Sequence, residues 1–390
     1  MESHQLYVDG VLTTVEPQVF DLLKLFAENA GALISHDQLI ETIWAGRIVS
    51  DSAISARISA ARSAIGDDGT RQQVIKTVPK RGFRFLAEVS ANSGNPGTET
   101  KVATEPPAER AQRIQFCCSA DGTQIASAVT GSGYPLVRAG HWLTHLEYDW
   151  HSPVWRPFLN KLGSLCSVVR YDQRGNGLSD WDVEDYSLKA FVEDLEAVVD
   201  NAAVDKFALY GTSQGAPIAI AYAAKHPDRV SHLVLHGGYQ RGRFLRHSQE
   251  EREQGEAILT LIRHGWGKPQ NAFIQAFASM FIPDGSKEQI ESLSELQRRT
   301  TSPENAANLR LAVDKFDVSH LLDKLQVPTL VFHARGDSVH PLDQGRKLAS
   351  GIAGAQFVML DSRNHVILES EPAWRTLFSE IDRFLAQSSP

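Results

Sequence analysis

Between Phe207 and Ala224 the chain runs without a charged side chain, and at its centre two glycines bracket a serine: Gly211-Thr212-Ser213-Gln214-Gly215. A run of that length approaches a membrane span. Gly211, Ser213, Gln214, Gly215 and Pro217 break it instead into a buried strand, Phe207–Tyr210, a tight turn, and an apolar helix from Pro217 to Ala224. Small glycines let the serine occupy a strained strand-to-helix turn with its hydroxyl exposed. A Gly-x-Ser-x-Gly match is common by chance. The flanking strand and helix are what give it weight, and they require a sheet with a helix packed back onto it.

Two later strand ends supply partners for that hydroxyl. Thr329–His333 runs into Ala334-Arg335-Gly336-Asp337, and Phe357–Leu360 runs into Asp361-Ser362-Arg363-Asn364-His365. The order serine, aspartate, histidine fits a triad of Ser213, Asp337 and His365. In it His365 takes the serine proton, while Asp337 fixes the tautomer and stabilises the imidazolium. Asp343 and then Asp361 are the alternative acids, and each can equally cap a helix or end a strand. His333 and His340 read as packing or loop histidines. The amide of Gln214, directly after the nucleophile, is one expected donor to the alkoxide.

At 390 residues two domains are expected. Ser90 to Gln112 is rich in Asn, Gly, Thr, Pro and Glu, the composition of a tether. The sequence therefore divides into residues 1–89, a flexible linker over 90–112, and 113–390. In the last segment strands at Leu136–Ala139, Ser167–Tyr171, Phe207–Tyr210, His232–Leu235, Thr329–His333 and Phe357–Leu360 alternate with helices. This predicts an α/β fold with a mostly parallel sheet. No strand is expected between His236 and Val318, and residues 239–317 read as a helical lid. Cys117, Cys118 and Cys166 have neither a disulfide framework nor metal-ligand spacing, and no signal segment opens the chain. The expectation is a cytoplasmic protein without a membrane segment or metal.

Charge is uneven. The chain is −8 overall, yet residues 47–84 carry eight bases against three acids, whereas residues 1–46 carry one base against seven acids. That asymmetry suits contact with phosphates by one face. Ser35-His36-Asp37-Gln38 is a capping box opening a helix. A second start at Ser50 or Asp51 leads a helix with Ile54, Ile58, Ala61 and Ile65 inward. Its other face carries Ser52, Ser55, Ser59 and Arg62, with Arg57 to the side, either a phosphate ligand or a solvated residue. Val74–Val78 and Phe83–Leu86, joined by a basic turn, form a wing able to present Lys80, Arg81 and Arg84 to double-stranded DNA.

Two resemblances follow from these residues. The run from Glu16-Pro17-Gln18-Val19-Phe20 through Ile75-Lys76-Thr77-Val78-Pro79-Lys80-Arg81-Gly82-Phe83-Arg84-Phe85 resembles the winged helix-turn-helix effector domain of OmpR-type regulators, in the branch of CadC-like one-component regulators. It covers nearly all of residues 4–89. The family's amino-terminal sheet is shortened here to one hairpin around Leu6–Thr14, and neither a membrane segment nor a receiver domain is present. From about Ile114 to Leu385 the chain resembles the α/β-hydrolase superfamily with a lid, in a group fused to bacterial regulatory domains and marked by Trp142-Leu143-Thr144-His145-Leu146-Glu147-Tyr148-Asp149-Trp150.

The second resemblance implies a serine hydrolase scaffold without a metal or organic cofactor. Aligning Gly140-His141-Trp142 with the usual His-Gly-x makes Trp142 the second oxyanion donor, with His141 standing where glycine is usual. The strand-end loop Tyr171–Asp180 is given a structural role. Trp142, Trp150, Trp155 and Trp266 line an apolar pocket or belong to the core. The leading expectation is a homodimeric transcription regulator whose hydrolase domain binds, and turns over, a small ester- or lactone-like ligand. The alternatives are a metabolic hydrolase with an accessory DNA-binding domain, or a non-catalytic receptor.

Overall fold

The computed structural model describes residues 6–8, 11–13, 15, 17–30, 32–44, 51–67, 72–78, 82–87, 112–267 and 272–387. The chain divides into two compact units, Met1–Thr104 and Glu105–Pro390.

In the N-terminal unit, strands β1 (Leu6–Val8) and β2 (Val11–Thr13) pair as an antiparallel hairpin. Helix α1 (Pro17–Glu28), strand β3 (Leu33–Ile34) and helices α2 (His36–Trp44) and α3 (Asp51–Ala64) follow. Strands β4 (Ile75–Val78) and β5 (Gly82–Phe85) complete a three-stranded sheet in the order β3-β5-β4. The capping box forms: Ser35 Oγ accepts from the Gln38 amide at 3.1 Å, and Gln38 Oε1 accepts from the Ser35 amide at 2.9 Å. Apolar residues at helical spacing then meet in one core, where Leu22 and Phe26 of α1 pack with Leu39, Ile54, Ile58 and Ala61, closed by Ile75, Phe83 and Phe85. Asp67 is buried and its carboxylate accepts the amides of Gln73, Val74 and Ile75 at 2.8–3.1 Å, which fixes the entry into β4.

The C-terminal unit is built on an eight-stranded sheet. Its strands are β6 (Arg113–Cys118), β7 (Gln124–Gly131), β8 (Pro135–Ala139), β9 (Ser167–Tyr171), β10 (Phe207–Thr212), β11 (Val230–His236), β12 (Thr329–Ala334) and β13 (Gln356–Leu360). They lie in the order β13-β12-β11-β10-β8-β9-β7-β6. From β9 to β13 every pairing in this order is parallel, whereas β6–β7 and β7–β9 are antiparallel. The six apolar runs of the sequence are the parallel strands; the hairpin was not anticipated. Parallel pairing needs crossovers, provided by α4 (Leu146–His151), α5 (Trp155–Leu165), α6 (Leu188–Asn201), α7 (Gly215–Lys225) and α12 (Leu342–Gly351), while α13 (Pro372–Leu385) follows the last strand. β10 and β11 are buried at every position, as strands covered on both faces must be.

Between β11 and β12 the described residues form no named strand, and the main helices are α8 (Gln249–Gly265), α9 (Ala272–Phe281), α10 (Lys287–Thr300) and α11 (Pro303–Val313). Ser248, Ser286 and Ser302 are the N-caps of α8, α10 and α11, each accepting an amide at 3.1–3.2 Å. A cap of this kind contributes about 1 kcal/mol. The two stems of this lid are pinned by a backbone bridge between Arg241 and Asp317 and by their ion pair at 3.1 Å. Its far side is tied to the loop after β9, where Gly177 N donates to Thr300 O at 2.8 Å and Thr301 Oγ1 donates to Gly175 O at 2.5 Å.

Candidate functional site

Ser213 occupies the turn between β10 and α7 with φ +55°, the left-handed region that a residue with a Cβ rarely adopts. Such a conformation costs on the order of 1–3 kcal/mol and persists only where the surroundings impose it. Here they do. Ser213 N donates to His236 O at 2.9 Å, and both flanking glycines are in close approach. A Cβ on Gly211 would lie 2.6 Å from Gly215 O, and one on Gly215 would lie 2.8 Å from Gly140 O.

Asp337 and His365 meet across the ends of β12 and β13. Asp337 Oδ1 accepts the amides of Val339 and His340 at 2.8 and 3.0 Å, and its Oδ2 lies 2.6 Å from His365 Nδ1. Burial pushes the Asp337 carboxyl up, but the facing His365 ring, His333 and the His340 amide outweigh it, and its pKa falls below the ordinary value. With Nδ1 donating to this carboxylate, His365 presents a lone pair at Nε2. Among the described residues that nitrogen has no hydrogen-bond partner. Ser213 Oγ instead lies 3.5 Å from His340 Nε2. Gly237, at φ +58°, makes room for the ring, since a Cβ there would lie 2.9 Å from His365 Cε1. The alternative acids lie elsewhere: Asp343 pairs with Lys347 on the exposed face of α12, and Asp361 is solvent-exposed near Arg335.

The loops carrying Trp142 and Gln214 are joined by Gln173, which the sequence reading left without a role in the site. Its Nε2 donates to His141 O, and its Oε1 accepts from Gln214 Nε2 at 3.1 Å. All three side chains are buried. Gly140 is required beneath this bridge, because a Cβ would meet the Gln173 side chain at 2.2 Å. The His141 ring packs on Trp155 with centroids 4.5 Å apart. Burial, then the charge of Arg138, holds its pKa well below the usual histidine value, so it is a neutral wall.

Two cavities flank Ser213. One, of about 390 Å³, is apolar and bounded by Trp142, Leu143, Trp155, Leu293 and Leu296, with His365 at its edge. The other, of about 270 Å³, is bounded by Tyr239, Arg310, Asp314, Val339 and His340, with Gln214 beside Ser213. Trp266 backs the first by packing edge-on to Trp142, whereas Trp150 lies under the Arg170 guanidinium, away from both. His340, read from sequence as a packing or loop histidine, lines this cavity, and Arg310 was not singled out for it because only the folded lid brings α11 to the nucleophile.

On α3 of the N-terminal unit, Ser55 and Ser59 are exposed, and Arg84 is exposed on β5. Arg57 is half-buried and donates to Gln18 Oε1 at 3.2 Å. Arg62 is a correction to the expected DNA face. It is buried, and its Nε and Nη2 donate to Ile75 O at 3.0 and 2.6 Å, with Nη2 also reaching Thr77 Oγ1 at 2.9 Å. The Ile75 carbonyl and Thr77 hydroxyl of β4 draw it inward. Ser52 lies on α3, but its side chain is outside the described residues, as are Lys80 and Arg81. Among the described residues no helix is long and apolar enough to cross a membrane.

Residues 143–372 match the family model described as alpha/beta hydrolase fold, and residues 11–85 match that of the C-terminal domain of transcriptional regulatory proteins. The transcriptional activator CadC of Escherichia coli is 34% identical over 169 residues, covering 43% of this chain and 31% of CadC. A putative carbamate hydrolase, RutD of Rhizobium rhizogenes, is 24% identical over 224 residues, covering 56% of this chain and 82% of that protein. An esterase of Exiguobacterium antarcticum superposes with a TM-score of 0.59 at 20% identity, covering 70% of this chain and 99% of the esterase. At that identity the likeness is one of fold.

Proposed function

We propose, from the premise that this chain belongs to the alpha/beta hydrolase fold family and carries a regulator's DNA-binding domain, that it is a transcription regulator whose hydrolase domain binds and turns over a small carbonyl ligand. The observation that carries the catalytic part is the His365–Asp337 pair at 2.6 Å, with an unpartnered Nε2 at a cavity that Ser213 also lines. As Ser213 Oγ turns from His340 and attacks an ester- or lactone-like carbonyl, His365 Nε2 accepts its proton and Asp337 stabilises the resulting imidazolium. The amides of Trp142 and Gln214 hold the alkoxide. Collapse expels the leaving alcohol, which takes the proton from His365. Water then attacks the acyl-serine, giving its proton to His365 and restoring Ser213.

The regulator part rests on α3, where Ser52, Ser55, Ser59 and Arg57 face the major groove of double-stranded DNA, with Lys80, Arg81 and Arg84 on phosphates. Residues 1–89 then form the reader, 90–112 the tether and 113–390 the sensor, in a cytoplasmic homodimer that uses paired half-sites. Labelling of the full chain by a neutral fluorophosphonate, lost in Ser213→Ala, tests the nucleophile. A change of operator affinity or oligomeric state on ligand saturation tests the coupling; no change would remove the sensor role. One observation favours a receptor without turnover: Ser213 Oγ sits on His340 rather than on His365. Unlabelled, folded protein that still binds ligand would decide for that reading.

A further inference from the structure

The polar cavity beside Ser213 has a charge deficit. Arg310 on α11 lines it, and Arg243 and Arg246 at the base of the lid stand behind its wall at Val339 and His340; all three are buried. Two carboxylates oppose them: Asp314 accepts from Arg310 Nε at 2.9 Å, and Glu251 accepts from Arg246 Nη1 at 2.6 Å. Arg243 has no carboxylate among the described residues. Its Nη2 donates to Val339 O, while its Nη1 is buried without a partner. Arg310 lines the cavity, and its Nη2 is likewise buried without a partner. Burial, then the neighbouring Arg310, depresses the Arg243 pKa to about 10, as expected where cations outnumber anions.

A buried guanidinium N–H left unpaired costs more than an exposed one, because water is absent to compensate it. Nor can the neighbouring histidine serve as the missing anion. His340 Nδ1 lies 3.5 Å from Arg246 Nη2, and burial and the arginines keep its ring neutral.

We propose that the ligand of this site carries a carboxylate, seated on Arg310 with Arg243 and Arg246 behind it, while its carbonyl faces Ser213. One anionic charge balances the deficit, a planar carboxylate suits the guanidinium fork, and a phosphate dianion would exceed the balance. The apolar remainder of the ligand fills the cavity of Trp142, Trp155 and Leu296. Because Arg310 belongs to the lid and Ser213 to the sheet, the carboxylate joins the two. This assignment rests on the reading of Ser213 as the residue that meets the carbonyl.

The test is calorimetric titration of the full chain with levulinate and its one- and two-carbon homologues, against the corresponding primary amides. These keto acids keep the carbonyl and the charge but have no bond for the serine to cleave. At least one acid is expected to bind about tenfold or more tighter than its amide. Arg310→Met should reduce that preference to within about twofold, and Arg310→Lys should restore part of it. If no acid is preferred over its amide in the wild type, or if the preference survives Arg310→Met, the assignment is overturned. Fluorophosphonate labelling run alongside separates the two readings. A reactive Ser213 without acid preference leaves the hydrolase and removes the carboxylate seat; acid preference without labelling does the reverse.

Discussion

Arg174 and Arg243 are both buried guanidinium groups in the same unit, and the fold treats them in opposite ways. Around Arg174, Nε and Nη2 donate to the two oxygens of Asp194 at 2.8 and 2.6 Å, and Nη1 donates to Asp121 at 2.7 Å and to Asp185 O at 3.0 Å. Every nitrogen has a partner, and the Arg174–Asp194 side chains are fully excluded from solvent. Around Arg243 one carbonyl is supplied and the rest is left open. A buried charge that is completely satisfied holds a loop in place. One that is left incomplete, behind the wall of a cavity that a nucleophile also lines, fits the carboxylate seat proposed above.

The contrast makes graded predictions. Asp194→Ala strands Arg174 without its bidentate partner and should cost about 3–5 kcal/mol in urea unfolding of the full chain. Arg62→Ala removes donors to Ile75 O and Thr77 and should cost about 1–3 kcal/mol, read most directly as faster amide exchange along β4. Arg243→Met, by the same logic, should change stability by less than about 1 kcal/mol or raise it, since it removes an unsatisfied charge. A loss comparable to that of Asp194→Ala would erase the distinction drawn above.

The smallest effect concerns pH. Burial lowers the pKa of His141, His236, His333 and His340, that of His236 to about 3. These rings bind protons in the unfolded chain near pH 6.5 and resist them in the native one, so their contribution is present above that pH and lost as pH falls. Asp149 and Asp172 act the other way, because burial pushes them up to about 6 and about 7 and the native state retains their protons. His145 and His232 shift as these rings do and Asp194 as these carboxyls do, and six rings against three carboxyls leave a net fall in melting temperature between pH 7.5 and 5.5. His340→Gln should shallow that slope.

Much of this molecule was readable before folding. The central parallel strands β10, β11 and β12 announced themselves as apolar runs because they are covered on both faces, and the capping box at Ser35 and Gln38 formed as its spacing required. The β6–β7 hairpin escaped because β6 is mostly exposed or half-exposed and lacks such a run. Arg62 was misplaced for a related reason. Its helical position lies beside the core stripe, and only the carbonyl of Ile75, thirteen residues away, decides that it turns inward. Gln173 and Arg310 come to the surroundings of Ser213 from separate elements, and no local pattern encodes that meeting.

The inward turn of Arg62 has a consequence for any signal that reaches the N-terminal unit. By bonding α3 to Ile75 and Thr77, it ties the helix that carries Ser55 and Ser59 to strand β4. Under the regulator reading proposed above, a ligand is then expected to act on how many such surfaces meet a duplex at once, changing the midpoint and steepness of a binding curve while leaving the preferred base sequence untouched.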